Sequence, residues 1–301
     1  MARSLLRMSA RLTHRRALSL MVLSAVVFTA NVLLVRALGQ MGQANIWLVS
    51  CVRFVVGLAL IAIAYRREFA PTHLWRNALL VQRGILGGFG VYVTYLCVVQ
   101  LGAGRAIFIN NTYVIWGALL AAWLLHERLR SAVLIGSVTA IAGLALLTHV
   151  FSLTRHPGIF DLVAFGSAWL SGYIVVTIRQ LHGTEHTSTI FAAQCVYGLL
   201  ICTVPAVYTY TPLSGLAWVI IVIAGLTAAI GQLAMTRAFR DLPVAEGSLI
   251  QMLVPLFIAI GGVLFFHEHF SAQELAGAAL ILGGMAFTAV TKPASIGAGT
   301  K

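Results

Sequence analysis

The sequence predicts an all-α integral membrane protein, with ten transmembrane helices arranged as two inverted five-helix repeats. Composition is the first observation: 60% of the 301 residues are hydrophobic and 9% are charged, with a mean hydropathy of +0.94. Soluble domains are about 45–50% apolar and about 25% charged, so a soluble chain this poor in charge could not cover its surface. Second, the apolar residues arrive in blocks long enough to cross ~30 Å of hydrocarbon at ~1.5 Å per helical residue. Third, the chain resembles itself when shifted by 141 residues.

Residues 1–16 form a basic tail in which Arg3, Arg7, Arg11 and Arg15 recur every four residues, with Leu5, Leu6, Met8 and Leu12 between them. As a helix it would lie on anionic headgroups with its arginines out of the hydrocarbon. As a disordered tail it would serve only to fix orientation. The apolar run from Ala17 to about Val35 exceeds the about 7–15 residues of a signal-peptide core, and Arg36 stands where cleavage would fall. It is read as a retained first helix.

The first repeat covers residues 17–151, with spans at 17–38, 45–65, 80–100, 106–125 and 131–151. The second covers 158–291, with spans at 160–178, 189–208, 217–239, 244–266 and 275–291, and residues 292–301 form a second tail. Backbone groups in lipid must be satisfied within the segment, so the blocks are helices. Counting Lys and Arg tests the alternation. With the N-terminus cytoplasmic, sixteen fall on the inner side and only Arg36, Arg105 and Arg155 on the outer side. Both termini are therefore expected in the cytoplasm, in a cytoplasmic (inner) membrane. The net charge of +12 is spread through these loops rather than gathered on one face, which excludes a nucleic-acid partner.

The 141-residue shift aligns Gly84 with Gly225, Gly90 with Gly231, Gly136 with Gly277 and Gly143 with Gly284. It also aligns the pair His126-Glu127 with His267-Glu268. With five spans per repeat, the second copy enters the membrane upside down. Inverted repeats mark secondary transporters, whose substrate sites lie near the midplane between the halves.

These features resemble the EamA family of the drug/metabolite transporter superfamily, over nearly the whole chain as two EamA units. The resemblance rests on the hairpins ending in Glu127 and Glu268, each followed by a glycine-bearing span (Gly136 and Gly143, Gly277 and Gly284). It rests also on Arg53 in V-R-F, and on the opening of the second unit, F-D-L-V-A-F-G-S-A-W-L-S-G-Y. It implies a carrier of a small metabolite such as an amino acid, often an exporter, with a route walled mainly by helices 1, 3, 4, 6, 8 and 9. The family often has prolines in helices 4 and 9. Here Pro255 is present but its repeat partner is Val114, so a hinge is expected on one side only.

Arg53 reads as the only Lys or Arg well inside a span. A central arginine costs about 2.5–3.5 kcal/mol on insertion scales and should face the bundle interior. It is either an anchor for a substrate carboxylate or phosphate, or a structural arginine. Asn110 and Asn111, with Trp116 beyond, form a polar step in span 4, and Gln251 is the repeat counterpart of Asn110. Tyr92, Tyr95 and Gln232 are further cavity candidates, preferred over Gln194 of span 7. Gly84, Gly87, Gly88 and Gly90 read as a packing face.

All eight carboxylates lie at span ends or in loops, whereas proton coupling usually uses an intramembrane acid or histidine. Glu246, opposite Arg105 across the repeat symmetry, is the nearest coupling or gating candidate. Glu127 and Glu268 are expected beside the N-terminus of the helix that follows each. The cysteines Cys51, Cys97, Cys195 and Cys202 lack metal or redox spacing. H-E occurs without H-E-x-x-H, and no Walker or Rossmann pattern is present. No enzyme, metal or cofactor is implied; the expected partners are a small-molecule substrate and the lipid bilayer. The competing readings are an importer of a vitamin- or cofactor-like solute with the same fold, and a membrane-embedded enzyme or sensor.

Overall fold

A computed structural model describes residues 2–43, 45–101, 103–150, 158–266 and 271–291, apart from the side chains of residues 2–12, 95, 98, 99, 103–105 and 289. Described residues form helices and turns, with no strand among them. The helices are α1 (Ala2–Gln40), α2 (Ile46–Ala64), α3 (His73–Arg76), α4 (Ala78–Leu101), α5 (Ala103–Asn111), α6 (Tyr113–Leu124), α7 (Ser131–Leu147), α8 (Ile159–Leu181), α9 (Thr187–Tyr208), α10 (Gly215–Ala238), α11 (Val244–Ile250), α12 (Leu253–Phe266) and α13 (Ala272–Val290). The basic tail is thus continuous with the first span as one helix of 39 residues.

Seven segments among the described residues are long and apolar enough to cross a membrane, and three further apolar helices are shorter. The outward side chains agree. On α10, Val219, Val222, Ile223, Leu226 and Ile230 form an exposed stripe at helical spacing, a surface suited to hydrocarbon and costly in water. The protein is an all-helical, multi-pass membrane protein.

Side-chain contacts sort the connections onto two ends of the bundle. At one end, His73 Nδ1 and Asn77 Nδ2 both meet Glu185, each at 2.9 Å, and Arg179 meets Glu127. We term this the basic end. At the other, Asn45 caps α2 by accepting from Trp47 and Leu48 N–H and donates to the Thr209 carbonyl at 2.6 Å. Gln43 accepts there from Ser214, the N-cap of α10.

Packing pairs α1 with α10, α4 with α8, α2 with α9 and α7 with α13. Glycine makes the last pair close: a Cβ on Gly143 would lie 2.5 Å from the Gly277 carbonyl oxygen, and one on Gly277 would lie 2.5 Å from that of Gly143. Gly136 and Gly284 face each other in the same way. The main buried cluster joins α2, α8, α9 and α10 through Phe54, Val176, Phe191, Cys195 and Phe239.

Two of the expected spans are interrupted. Span 106–125 breaks between α5 and α6 at Thr112, and span 244–266 breaks between α11 and α12 at Gln251–Met252. In the second, Pro255 has no N–H to offer the Gln251 carbonyl, which instead accepts from Val254 at 3.0 Å. In the first, no proline is needed. Thr112 Oγ1 donates to the Ile109 carbonyl at 2.7 Å and Asn111 Nδ2 to that of Ile107 at 2.8 Å, local bonds that compete with the helical ladder. The 141-residue shift carries one break to within a residue of the other, so the expectation of a one-sided hinge is corrected: both repeats break, by different chemistry.

Candidate functional site

At the basic end, four helix termini meet in one polar junction. Arg179, in the last turn of α8, donates from Nε to Glu127 Oε1 at 2.8 Å. Its Nη1 donates to the carbonyls of Phe239 and Arg240, at 3.0 and 2.6 Å, just past α10. Glu127 Oε2 accepts the Val244 N–H at 3.1 Å, where a carboxylate is favoured by the first turn of α11. His126, at φ 54°, turns the chain through the left-handed region after α6, so that Glu127 points back across the bundle. Glu127 therefore does sit at a helix N-terminus, but at that of α11 and not of the α7 that follows it. Its repeat partner Glu268 lies outside the described residues.

Beneath this junction Ala118, Val133 and Ala245 form a small buried cluster, beside a cavity of about 40 Å³ bounded also by Glu127, Pro243 and Glu246. Glu246 pairs with His14 of α1 at 3.3 Å, and the Arg105 side chain lies outside the described residues. His182 closes the same end, donating from Nε2 to the Thr236 carbonyl at 2.7 Å. Burial, and then the neighbouring arginines, hold its pKa below the usual histidine value despite that bond.

Along the bundle, the remaining candidates separate. Gln251 is buried at the α11–α12 break, where Nε2 donates to Met21 Sδ at 2.9 Å and Ser24 Oγ at 3.1 Å; Ser24 Oγ itself donates to the Gly231 carbonyl at 2.8 Å. It ties α1 to α10. Asn110 Oδ1, at the equivalent break, is buried without a hydrogen-bond partner among the described residues. Asn111 is spent on the backbone bond to Ile107. Trp116 meets Phe165 of α8 edge-on at 5.4 Å, and its Cβ lies against Gly172. Tyr92 stacks on Trp47 with ring centroids 3.9 Å apart, which ties α4 to α2. Gln232 is buried in α10. The Tyr95 side chain lies outside the described residues. Gly136 and Gly277 serve the α7–α13 contact.

Arg53 is not the only arginine within the bundle. Arg83, five residues into α4, is 2% exposed and the largest fully buried side chain. Its Nη2 donates to Gln194 Oε1 of α9 at 2.9 Å, while Gln194 Nε2 donates to the Gly87 carbonyl. A Cβ on Gly87 would stand 1.9 Å from Arg83 Nη1. Gly84 and Gly88 do face α9 as a packing surface, but Gly87 makes room for the guanidinium. Arg53 is half-buried on α2, with its Cα facing Gly225 of α10. Counting loop charges assigned Arg83 to the basic end and hid this pairing; the signal in the sequence was an arginine four residues before a glycine.

The pattern of the EamA-like transporter family matches residues 15–149 and again 158–290. The pseudopaline exporter CntI of Pseudomonas aeruginosa, strain UCBPP-PA14, is 24% identical over 232 residues, covering 76% of this chain and 81% of that protein. The same exporter from strain PAO1 is likewise 24% identical, over 235 residues. The probable transport protein YPL264C of Saccharomyces cerevisiae is 22% identical over 241 residues, 71% of this chain and 66% of that one. A solved crystal structure matches with a TM-score of 0.72 at 19% identity, covering 90% of this chain and 99% of its own; that likeness concerns the fold.

Proposed function

The chain belongs to the EamA-like transporter family, and on that premise we propose that it is a secondary carrier exporting a small metabolite, such as an amino acid or related solute, by alternating access. A transporter, rather than an enzyme, is what its family and relatives indicate. The proposal adds ten spans in two inverted repeats, residence in the cytoplasmic membrane, and both termini, with the basic end, in the cytoplasm. The arginine distribution supports that orientation. Export is the direction named for the Pseudomonas relatives.

The observation that carries the reading is the way contacts exchange under the 141-residue shift. Gly136 against Gly284 becomes Gly277 against Gly143, and Gly57 against Cys195 becomes Gly198 against Phe54. The paired helix breaks exchange in the same way. Such pairing is what two copies related by an axis in the membrane plane produce.

In this mechanism the solute binds near the paired breaks, where Asn110 Oδ1 is an unspent acceptor. The Arg179–Glu127–Val244 junction holds the inner ends of α6, α8, α10 and α11 together. Export requires it to open inward for loading and to reform before the solute is released outside. Counterflow in proteoliposomes, with a panel of radiolabelled amino acids, vitamins and organic cations, tests the reading. Accelerated exchange of at least one solute is expected; none, with verified incorporation, contradicts it.

A further inference from the structure

Among the described residues, Arg83 is a cation without a counter-ion. Of its guanidinium nitrogens only Nη2 is hydrogen-bonded; Nε and Nη1 have no partner among the described residues. Five of the seven described carboxylates pair elsewhere: Glu127 with Arg179, Glu185 with His73, Asp241 with Arg237, Glu246 with His14 and Glu274 with His149; Asp161 accepts from the Gly158 N–H and Glu68 is exposed. A buried charge left this way is strongly unfavourable unless something of opposite sign joins it.

The position is also informative. The shift that exchanges Gly57–Cys195 with Gly198–Phe54 takes Arg53 onto Gln194, so the two flank the point where α2 crosses α9. Gln194 lies seven residues into α9, about 10 Å along the helix. Arg83 and Gln194 thus meet between α4 and α9, about 8–10 Å in from the basic ends of those helices, and Arg53 of α2 stands on the far side of the α2–α9 crossing. Cys195, beside them, is fully buried and contributes no charge.

We propose that Arg83, Gln194 and Arg53 form an anion subsite that takes a carboxylate group of the transported solute; this rests on the carrier reading. A carboxylate accepts in a bidentate manner from the fork presented by Nε and the outer nitrogens of a guanidinium. Gln194 fixes the fork from one side and Arg53 supplies the second positive charge. The side chain opens to solute only when α4 and α9 move, so the subsite is loaded in one state of the cycle and closed in the state described here.

The test uses the full-length purified protein. Thermal unfolding is followed against sodium succinate and citrate, with sodium chloride at matched ionic strength as reference. In parallel, counterflow compares L-amino acids with their carboxamides. The wild type should gain thermal stability from the carboxylates beyond chloride and exchange acids in preference to amides. Arg83→Gln should weaken the carboxylate response roughly 10- to 100-fold, the loss expected for charge-assisted hydrogen bonds, and Arg83→Lys should restore part of it. Gly87→Ala, which crowds Nη1, should weaken it too. A wild type that shows no carboxylate-specific stabilisation, or exchanges amides as fast as acids, overturns the subsite even if Arg83→Gln does not fold. Exchange of the acids unchanged by Arg83→Gln overturns the subsite and leaves the carrier standing. No exchange of any solute overturns the carrier as well.

Discussion

Replacing Glu127 with Gln removes one charge from the junction at the basic end and leaves its shape in place. The Arg179 and Glu127 side chains are 27% and 18% exposed. The pair is therefore neither an exposed bridge, worth about 0.2–1 kcal/mol, nor a fully buried one, whose breaking costs about 3–5 kcal/mol. Arg179 keeps its bonds to the Phe239 and Arg240 carbonyls, and a glutamine oxygen can still accept from Val244. A loss of about 2 kcal/mol is then expected, which shifts the equilibrium away from the closed junction about 30-fold at ~1.4 kcal/mol per tenfold. Ala118 lies directly beneath and is 3% exposed. With the four native cysteines replaced, Ala118→Cys reports opening through its rate of labelling by a membrane-impermeant maleimide applied to the basic face. Glu127→Gln should raise that rate at least tenfold, and Glu127→Asp by less. An unchanged rate in folded protein would refute the role given to this junction.

Other perturbations have equally definite outcomes. Gly284→Ala places a Cβ 2.5 Å from the Gly136 carbonyl oxygen and should cost about 1–3 kcal/mol by overpacking; Gly283→Ala, with nothing within 4 Å, should leave Tm unchanged. Thr112→Val removes the bond that competes with the helix at the α5–α6 break, and should slow exchange more than it changes Tm. Because His182 has a lowered pKa when folded, the unfolded chain takes up a proton first on acidification. Stability from this group is full above about pH 6.5 and falls as pH drops below it; His182→Gln should flatten the dependence of Tm on pH between about 7.5 and 5.5. Asn45→Ala removes an N-cap and a bond to Thr209, and should lower stability by about 1–2 kcal/mol.

Hydropathy located every apolar block because chain in lipid must carry its apolar residues in long runs, and the glycine positions exposed the self-similarity because close helix contact tolerates little else. Gly143 and Gly277 were legible as repeat markers for that reason, and they meet at the α7–α13 contact. The α5–α6 break was not legible. Thr112 and Asn111 are ordinary residues in a membrane helix, and only their rotamers show that they bond back to Ile109 and Ile107. Long-range partners were hidden likewise. Glu127 reaches Val244, 117 residues away, where local sequence suggests the helix beside it. Gln194 looked like one amide in an apolar run, and its meaning comes from Arg83, 111 residues earlier.

Reversible cross-linking across the basic end tests alternating access most directly. Ala118 of α6 and Ala245 of α11 share one buried cluster, so cysteines at both positions in a cysteine-free background should form a disulfide when the junction is closed. Oxidation should stop counterflow, and reduction should restore it to the rate of the uncross-linked variant. Exchange continuing at full rate in protein shown to be completely cross-linked would contradict the proposal that these inner ends must part in every cycle.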